Sequence, residues 1–350
     1  MRRIPLSKTK NVYKFTNHFI SELFEWAFAN PKTSDDDKLV NTISMPRLKK
    51  VAKHFPRVRT EMSNLSHLDR IMHISSTYDY YRKNYREIIR GKKRAIHFDR
   101  KHTETLHKAF LYFYENLLDN EFFWEVYNPG VPLMKREDFR DSIKSSIKIC
   151  PYCDINLITK TDTNVDHFLP ISKFPLLGIY WANLVVACVS CNGNLNKKDR
   201  WKLPVLHPYF DEVHESVKFR FDHSKEFVGL YARKKHAKVV SSRTRGMNYI
   251  WILKLDTRLE DIWPTVRKTQ SDLYHRIKDF KHTIMTNRKL YISIIDYYIN
   301  KEIKPGIGQT SFTKLSLDYC DDRKMNGYHD YCKWFAKEQA DMEAYFASRR

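Results

Sequence analysis

The chain has 350 residues, 42% of them hydrophobic and 14% aromatic, enough to build packed cores and to exclude a disordered or low-complexity protein. Lys and Arg number 62 against 41 acidic residues, a formal charge of +21 that points to a polyanionic partner, nucleic acid before others. No stretch is long and apolar enough to span a bilayer. The opening residues Met1-Arg2-Arg3-Ile4-Pro5 lack the apolar run of a secretory signal, so a membrane partner is not expected and a cytoplasmic location is.

Apolar residues from Phe15 to Phe28 recur at helical spacing, and Pro31 with Asp35-Asp36-Asp37 ends the pattern. Pro46 to Phe55 reads as a second helix, with Leu48, Val51 and Phe55 inward and Arg47, Lys49, Lys50 and Lys53 in solvent. Between Arg82 and Lys101 nine basic residues face two acidic ones. They include Lys92, Lys93 and Arg94, and Tyr78, Tyr80, Tyr81 and Tyr85 precede or interleave with them. Such a run either tracks a phosphate backbone with rings for base stacking or is a basic loop beside core tyrosines. Leu106 to Val126 reads as one long helix closed by Asn128-Pro129-Gly130.

The central stretch carries two Cys-x-x-Cys pairs, Cys150/Cys153 and Cys188/Cys191, 34 residues apart. Two close thiolate pairs suit a closed, structural, tetrahedral zinc site with no open position for substrate. Between them stand Asp166-His167 and Asn183, and after them Asn192, Asn196, Lys197 and Lys198. In an extended segment Asp166 and His167 point to opposite faces, so one can hold a hard divalent cation while the other addresses a nucleophile. Residues 164–167 and 184–187 are expected as strands and 190–200 as a helix, a ββα unit too small to bury a core without a metal cross-link. His207 is a packing or loop histidine before it is a phosphate donor. Residues 218–221 and 227–231 form a hairpin, and the six positive charges from Arg233 to Arg245, Lys234 and Lys235 among them, offer a second substrate groove. Amphipathic helices return from Gly246 to Asp296, and a last one runs from Tyr331 to Phe346. Cys320 and Cys332 are ordinary thiols outside any ligand spacing. With no Walker-type phosphate loop, the chain shows no ATPase of its own, and ATP use or sensing would belong to a separate partner protein.

The set Cys150-Pro151-Tyr152-Cys153, Val165-Asp166-His167-Phe168-Leu169-Pro170, Asn183-Leu184 and Ala187-Cys188-Val189-Ser190-Cys191-Asn192, with Lys197 after it, resembles the HNH nucleases of the His-Me finger (ββα-metal) class. The resemblance implies a general base at His167 and a Mg²⁺ or Mn²⁺ ligand at Asp166. It further implies a loop-orienting clamp at Asn183, a second metal ligand at Asn192, and substrate contacts by Lys197 and Lys198. The family's usual final His is Asn192 here, its paired glycines are missing and its lysine is displaced, so Asn196 stands as the substitute ligand. The fold class read from the sequence is α+β: predominantly helical, with an embedded zinc-braced ββα-metal core. Residues 1–140 form a helical domain, 141–245 the nuclease core with a flanking hairpin, and 246–350 a helical region. The function implied is metal-dependent hydrolysis of phosphodiester bonds, most readily in DNA, within a bacterial restriction or phage-defence system. The alternatives are a non-catalytic zinc-ribbon binding module and an RNA-cleaving effector.

Overall fold

In a computed structural model of the chain, residues 4, 13–35, 38–193, 197–232, 242–259, 262–307 and 309–347 are described. Seven helices come first: α1 (Thr16–Ala29), α2 (Pro46–His54), α3 (Pro56–Ser66), α4 (Ile71–Ile89), α5 (Arg100–Tyr112), α6 (Glu121–Tyr127) and α7 (Arg136–Lys144). A hairpin of β1 (Thr163–His167) and β2 (Leu184–Cys188) follows, then two single turns, α8 (Val189–Asn192) and α9 (Val213–Ser216). A second hairpin pairs β3 (Val217–Asp222) with β4 (Phe227–Ala232). The remainder is helical: α10 (Ser242–Leu253), α11 (Trp263–Lys278), α12 (Lys281–Thr286), α13 (Arg288–Tyr298), α14 (Thr313–Asn326) and α15 (Tyr328–Ala347). The expected class, mostly helical with small antiparallel sheets, is what the chain adopts.

One apolar core runs from Ile4 to Phe335 and holds the central hairpin between the two sets of helices. In α1, the buried residues Phe19, Ile20, Leu23, Phe24 and Ala27 fall on one helical face, which packs on α3 and α4. Pro175–Leu177, a short turn in the long β1–β2 connection, lies against α4 and α5. The hairpin is antiparallel with His167 opposite Leu184 and Thr163 opposite Cys188, a register that brings the second thiol pair back beside the first. The expected boundary at residue 140 falls inside α7, which packs on β1.

Three expectations need correction. The helix read over 106–126 is interrupted: α5 ends at Tyr112, a π-helical turn spans Phe113–Leu117, and α6 starts afresh at Glu121. Asn120 causes the restart by accepting a hydrogen bond from the Phe123 amide, and Asp119 accepts from Arg136, so both side chains serve turn chemistry in place of the helix. The helix read over 190–200 is a single turn ending at Asn192. Gly193 leaves helical space with ψ 157° while its amide closes on the Val189 carbonyl. Of the four tyrosines weighed for base stacking, Tyr78, Tyr81 and Tyr85 lie on the inward face of α4 and are buried, while Tyr80 is half-buried with its hydroxyl donating to the Arg94 carbonyl.

Candidate metal and catalytic centre

Cys150, Cys153, Cys188 and Cys191 are buried as free thiols with their sulfurs all within 4.8 Å of one another. The Cys150–Cys191 and Cys153–Cys188 sulfurs are 3.9 and 4.0 Å apart. A tetrahedral zinc with bonds of about 2.3 Å requires sulfur–sulfur edges of about 3.8 Å, so the cluster fits such an ion in donor type and spacing. Its surroundings favour thiolate: Arg258 donates to the Cys191 sulfur at 2.8 Å, the Cys188 amide points at Cys150, and the Ile155 amide at Cys153. The Tyr249 hydroxyl donates to the carbonyls of Pro151 and Tyr152, tying the first Cys-x-x-Cys turn to α10.

The hairpin sends its two adjacent chemical groups in opposite directions. Asp166 points inward and is 4% exposed, where its two oxygens are already engaged. Lys197, itself 1% exposed, places its ammonium 2.9 Å from both carboxylate oxygens and donates to the His167 carbonyl as well. The Tyr152 hydroxyl donates to Asp166 Oδ2 at 2.7 Å, which couples the carboxylate to the thiol cluster. Burial pushes the Asp166 carboxyl up, and Lys197 and Tyr152 pull it back. Lys197 therefore sits behind the hairpin as an internal counter-ion, not on the substrate side.

His167 turns the other way, with its ring edge-to-face against Tyr114 at 4.4 Å. Its Nε2 lies 2.8 Å from the Gly178 carbonyl. A carbonyl only accepts, so Nε2 carries the proton and Nδ1 keeps a lone pair that no described group takes up. Burial depresses the ring to a pKa of about 4, with Lys197 and Arg136 adding to the effect, so the imidazole is neutral at pH 7. The acceptor is fixed by Asn183, fully buried at the end of the β1–β2 connection. Its Nδ2 donates to the carbonyls of Leu169 (3.0 Å) and Leu177 (3.2 Å), and its Oδ1 accepts from the Leu169 amide (2.8 Å) and the Tyr85 hydroxyl (2.9 Å). Leu177 immediately precedes the glycine that holds His167, so the amide sets the loop that sets the imidazole.

His167 and Asn192 line one cleft of about 540 Å³, together with Tyr114, with Lys135 at the N-cap of α7 and with Arg136 and Arg140 on that helix. Nothing local in the sequence marked α7 for this role. Arg136 is held by Asp119 at 2.7 Å with its guanidinium 4.6 Å from the Tyr114 ring centroid, and the buried Arg140 donates to the Lys160 carbonyl and pairs with Glu137 and Asp141, each at 3.4 Å. Among the described residues no carboxylate pairs with Lys135. The π-helical turn after α5 aims Tyr114 at β1, where its hydroxyl donates to the Val165 carbonyl. Lys92, Lys93 and Arg94 are exposed on the α4–α5 loop and do not line this cleft; Lys92 pairs with Glu87 and Lys93 donates to Asn84. Lys198 is exposed. Asn196, Lys234 and Lys235 lie outside the described residues. His207 is fully buried against Phe168, Tyr85 and Phe210, accepts from the Tyr209 amide, and does not line this cleft.

A two-stranded hairpin braced by four thiols and followed by one helical turn thus presents a neutral histidine to a cleft lined by Lys135, Arg136 and Arg140 and by the carboxylates of Asp119 and Glu137. Residues 150–198 match the HNH endonuclease family model, so the resemblance read from the sequence holds for that segment. The chain is also similar to the Septu protein PtuB of Bacillus thuringiensis, 34% identical over 70 residues, and to protein ea31 of Escherichia phage lambda, 36% identical over 81 residues. These matches cover 20% and 22% of this chain and 27% and 26% of the relatives, so the similarity spans about a quarter of each relative's length. No solved structure matches the chain.

Proposed function

We propose that the protein is a metal-dependent endonuclease that hydrolyses phosphodiester bonds, with His167 as general base. The observation that carries this reading is the neutral imidazole, locked through Nε2 by Gly178 and facing a cleft shared with Asn192 and the cations of α7. The Nδ1 lone pair would take a proton from an attacking water, and Lys135, Arg136 and Arg140 would draw the phosphate backbone into the cleft. Asn183 acts as a positioning residue through the loop.

Zinc is the ion that best suits the four thiols, and its role there is to hold the hairpin together. Asp166 and Asn192 would hold the catalytic divalent cation. The donor set suits Mg²⁺ or Mn²⁺ in kind, a carboxylate and an amide oxygen, but Asp166 as placed faces away from the cleft that holds Asn192 and is engaged by Lys197 and Tyr152, so the pair would hold the cation only once Asp166 leaves those partners and turns to the cleft side. When bound, the cation supplies positive charge beside the scissile phosphate. DNA is the preferred substrate. The similarity to PtuB and to a phage protein supports a setting in phage defence with a separate partner protein. Incubating plasmid, single-stranded DNA and RNA with the protein in Mg²⁺, Mn²⁺ or EDTA tests the proposal; binding without cleavage in every condition would leave a zinc-braced binding module in its place.

A further inference from the structure

The inward residues of α10, Gly246, Asn248, Tyr249, Ile250, Ile252 and Leu253, anchor it to the thiol-cluster turn and to β4. A methyl on Gly246 would come within 2.6 Å of the Ala232 Cβ, so the helix is pressed against the hairpin. Its outward face is apolar and basic. Arg243, Met247 and Trp251 recur every fourth residue, all exposed, with Met247 at 47% and Trp251 at 48%. An exposed ring alone is ordinary on a protein surface, so what gives this one a role is the charge placed around it.

The Arg200 guanidinium lies 4.9 Å and the Lys202 ammonium 5.7 Å from the Trp251 ring, and Arg200 also donates to the Trp251 carbonyl. Among the described residues no carboxylate neutralises Arg200, Lys202 or Arg243. Arg200 stands three residues after Lys197, the counter-ion of Asp166, and its amide donates to the Lys197 carbonyl, so this patch is tied through the backbone to the back of the β1–β2 hairpin.

We propose that Trp251 is a stacking platform for an unpaired base of single-stranded nucleic acid, with Arg200 and Lys202 moving from the ring onto the flanking phosphates. Every base offers a π-face, whereas a paired base within a duplex keeps its faces stacked on its neighbours. The patch therefore selects substrates with a single-stranded or unstacked segment. This rests on the nuclease reading of the cleft for its purpose, but binding alone reveals it.

The test is anisotropy of the full chain with short fluorescein-labelled DNA and RNA single strands and a blunt DNA duplex, without added divalent cation, the label checked as intact on a denaturing gel. Trp251→Ala should weaken single-strand binding by roughly 5- to 100-fold, while duplex binding changes by less than about 2-fold and Trp251→Phe stays near wild type. Replacing Arg200 and Lys202 by Ala should flatten the salt dependence by about 0.7 per cation on single strands. Zinc content and unfolding midpoint of each variant report that the fold is kept. Wild-type single-strand binding by Trp251→Ala, or equal losses on single strand and duplex, overturns the proposal. So does a change in sedimenting mass with unchanged binding, which would make the face a contact between copies. Loss of stacking in Trp251→Ala alongside an inert cleft would instead refute the nuclease reading and leave the platform standing.

Discussion

Replacing Asn183 by alanine removes four hydrogen bonds at a fully buried position: the Leu169 amide and carbonyl lose the amide that pairs them, the Leu177 carbonyl keeps only the Tyr180 amide, and the Tyr85 hydroxyl keeps only the His207 ring. Each buried group deprived in this way costs about 1–3 kcal/mol, reduced where the loop relaxes or water enters, so a total of about 3–5 kcal/mol is expected. For a protein of ordinary marginal stability that is a large fraction of the whole. Urea unfolding followed by tryptophan fluorescence should show the midpoint falling with little change in slope. The same loop carries the Gly178 carbonyl that orients His167, so kcat should fall with KM little changed. Asn183→Asp, which keeps the acceptor and loses the donors, should land between the two. A stability within about 0.5 kcal/mol of wild type would refute the clamp, because the buried Leu169 amide and carbonyl would then have lost their partner at almost no cost.

Elemental analysis should find one zinc per chain, and Cys150→Ser should give a locally unfolded protein, since the thiolate site carries folding free energy; folded protein free of metal would count against the cluster. Lys197→Ala strands a buried carboxylate and should cost about 3–5 kcal/mol, with Mg²⁺ or Mn²⁺ restoring part of the melting temperature if Asp166 is a ligand. Burial holds the His207 and His167 rings below the ordinary histidine pKa, so below pH 6.5 the unfolded chain binds protons that the folded one refuses. Stability should therefore decline as pH falls from 6.5 toward 4, and less steeply in His207→Gln; parallel profiles would show that His207 is protonated in the fold. Charge reversal at Lys135 should weaken nucleic-acid binding and flatten its salt dependence more than reversal at Lys92, Lys93 and Arg94, which stand outside the cleft.

What the sequence made legible was local. Four cysteines at fixed spacing announce a thiol cluster, the short segments 164–167 and 184–187 read as strands pair as the hairpin, and Asp166-His167 on an extended segment separates its two groups by geometry alone. What it hid depends on distant contacts. Lys197 reads as a basic residue near substrate until the turn at Gly193 folds it behind Asp166. Arg258 looks like any surface cation, yet it lies 67 residues from the Cys191 sulfur it serves. The cations of α7 and the Tyr114 ring reach the cleft only through tertiary packing, the latter because a π-helical turn redirects it. The tyrosines of α4 misled in the opposite sense: interleaved basic residues suggest a stacking surface, but positions 78, 81 and 85 are spaced for one helical face, which the core took.

The most direct measurement compares cleavage of DNA by the wild-type protein and by His167→Ala, in Mg²⁺, Mn²⁺ and EDTA, with zinc content and circular dichroism as controls. Metal-dependent cleavage by the wild type and a rate lower by roughly two to four orders of magnitude in the variant, with zinc, fold and nucleic-acid binding unchanged, is the predicted result. Equal rates in the two proteins would contradict the assignment of His167 as the base and, with it, the cleft as the catalytic site.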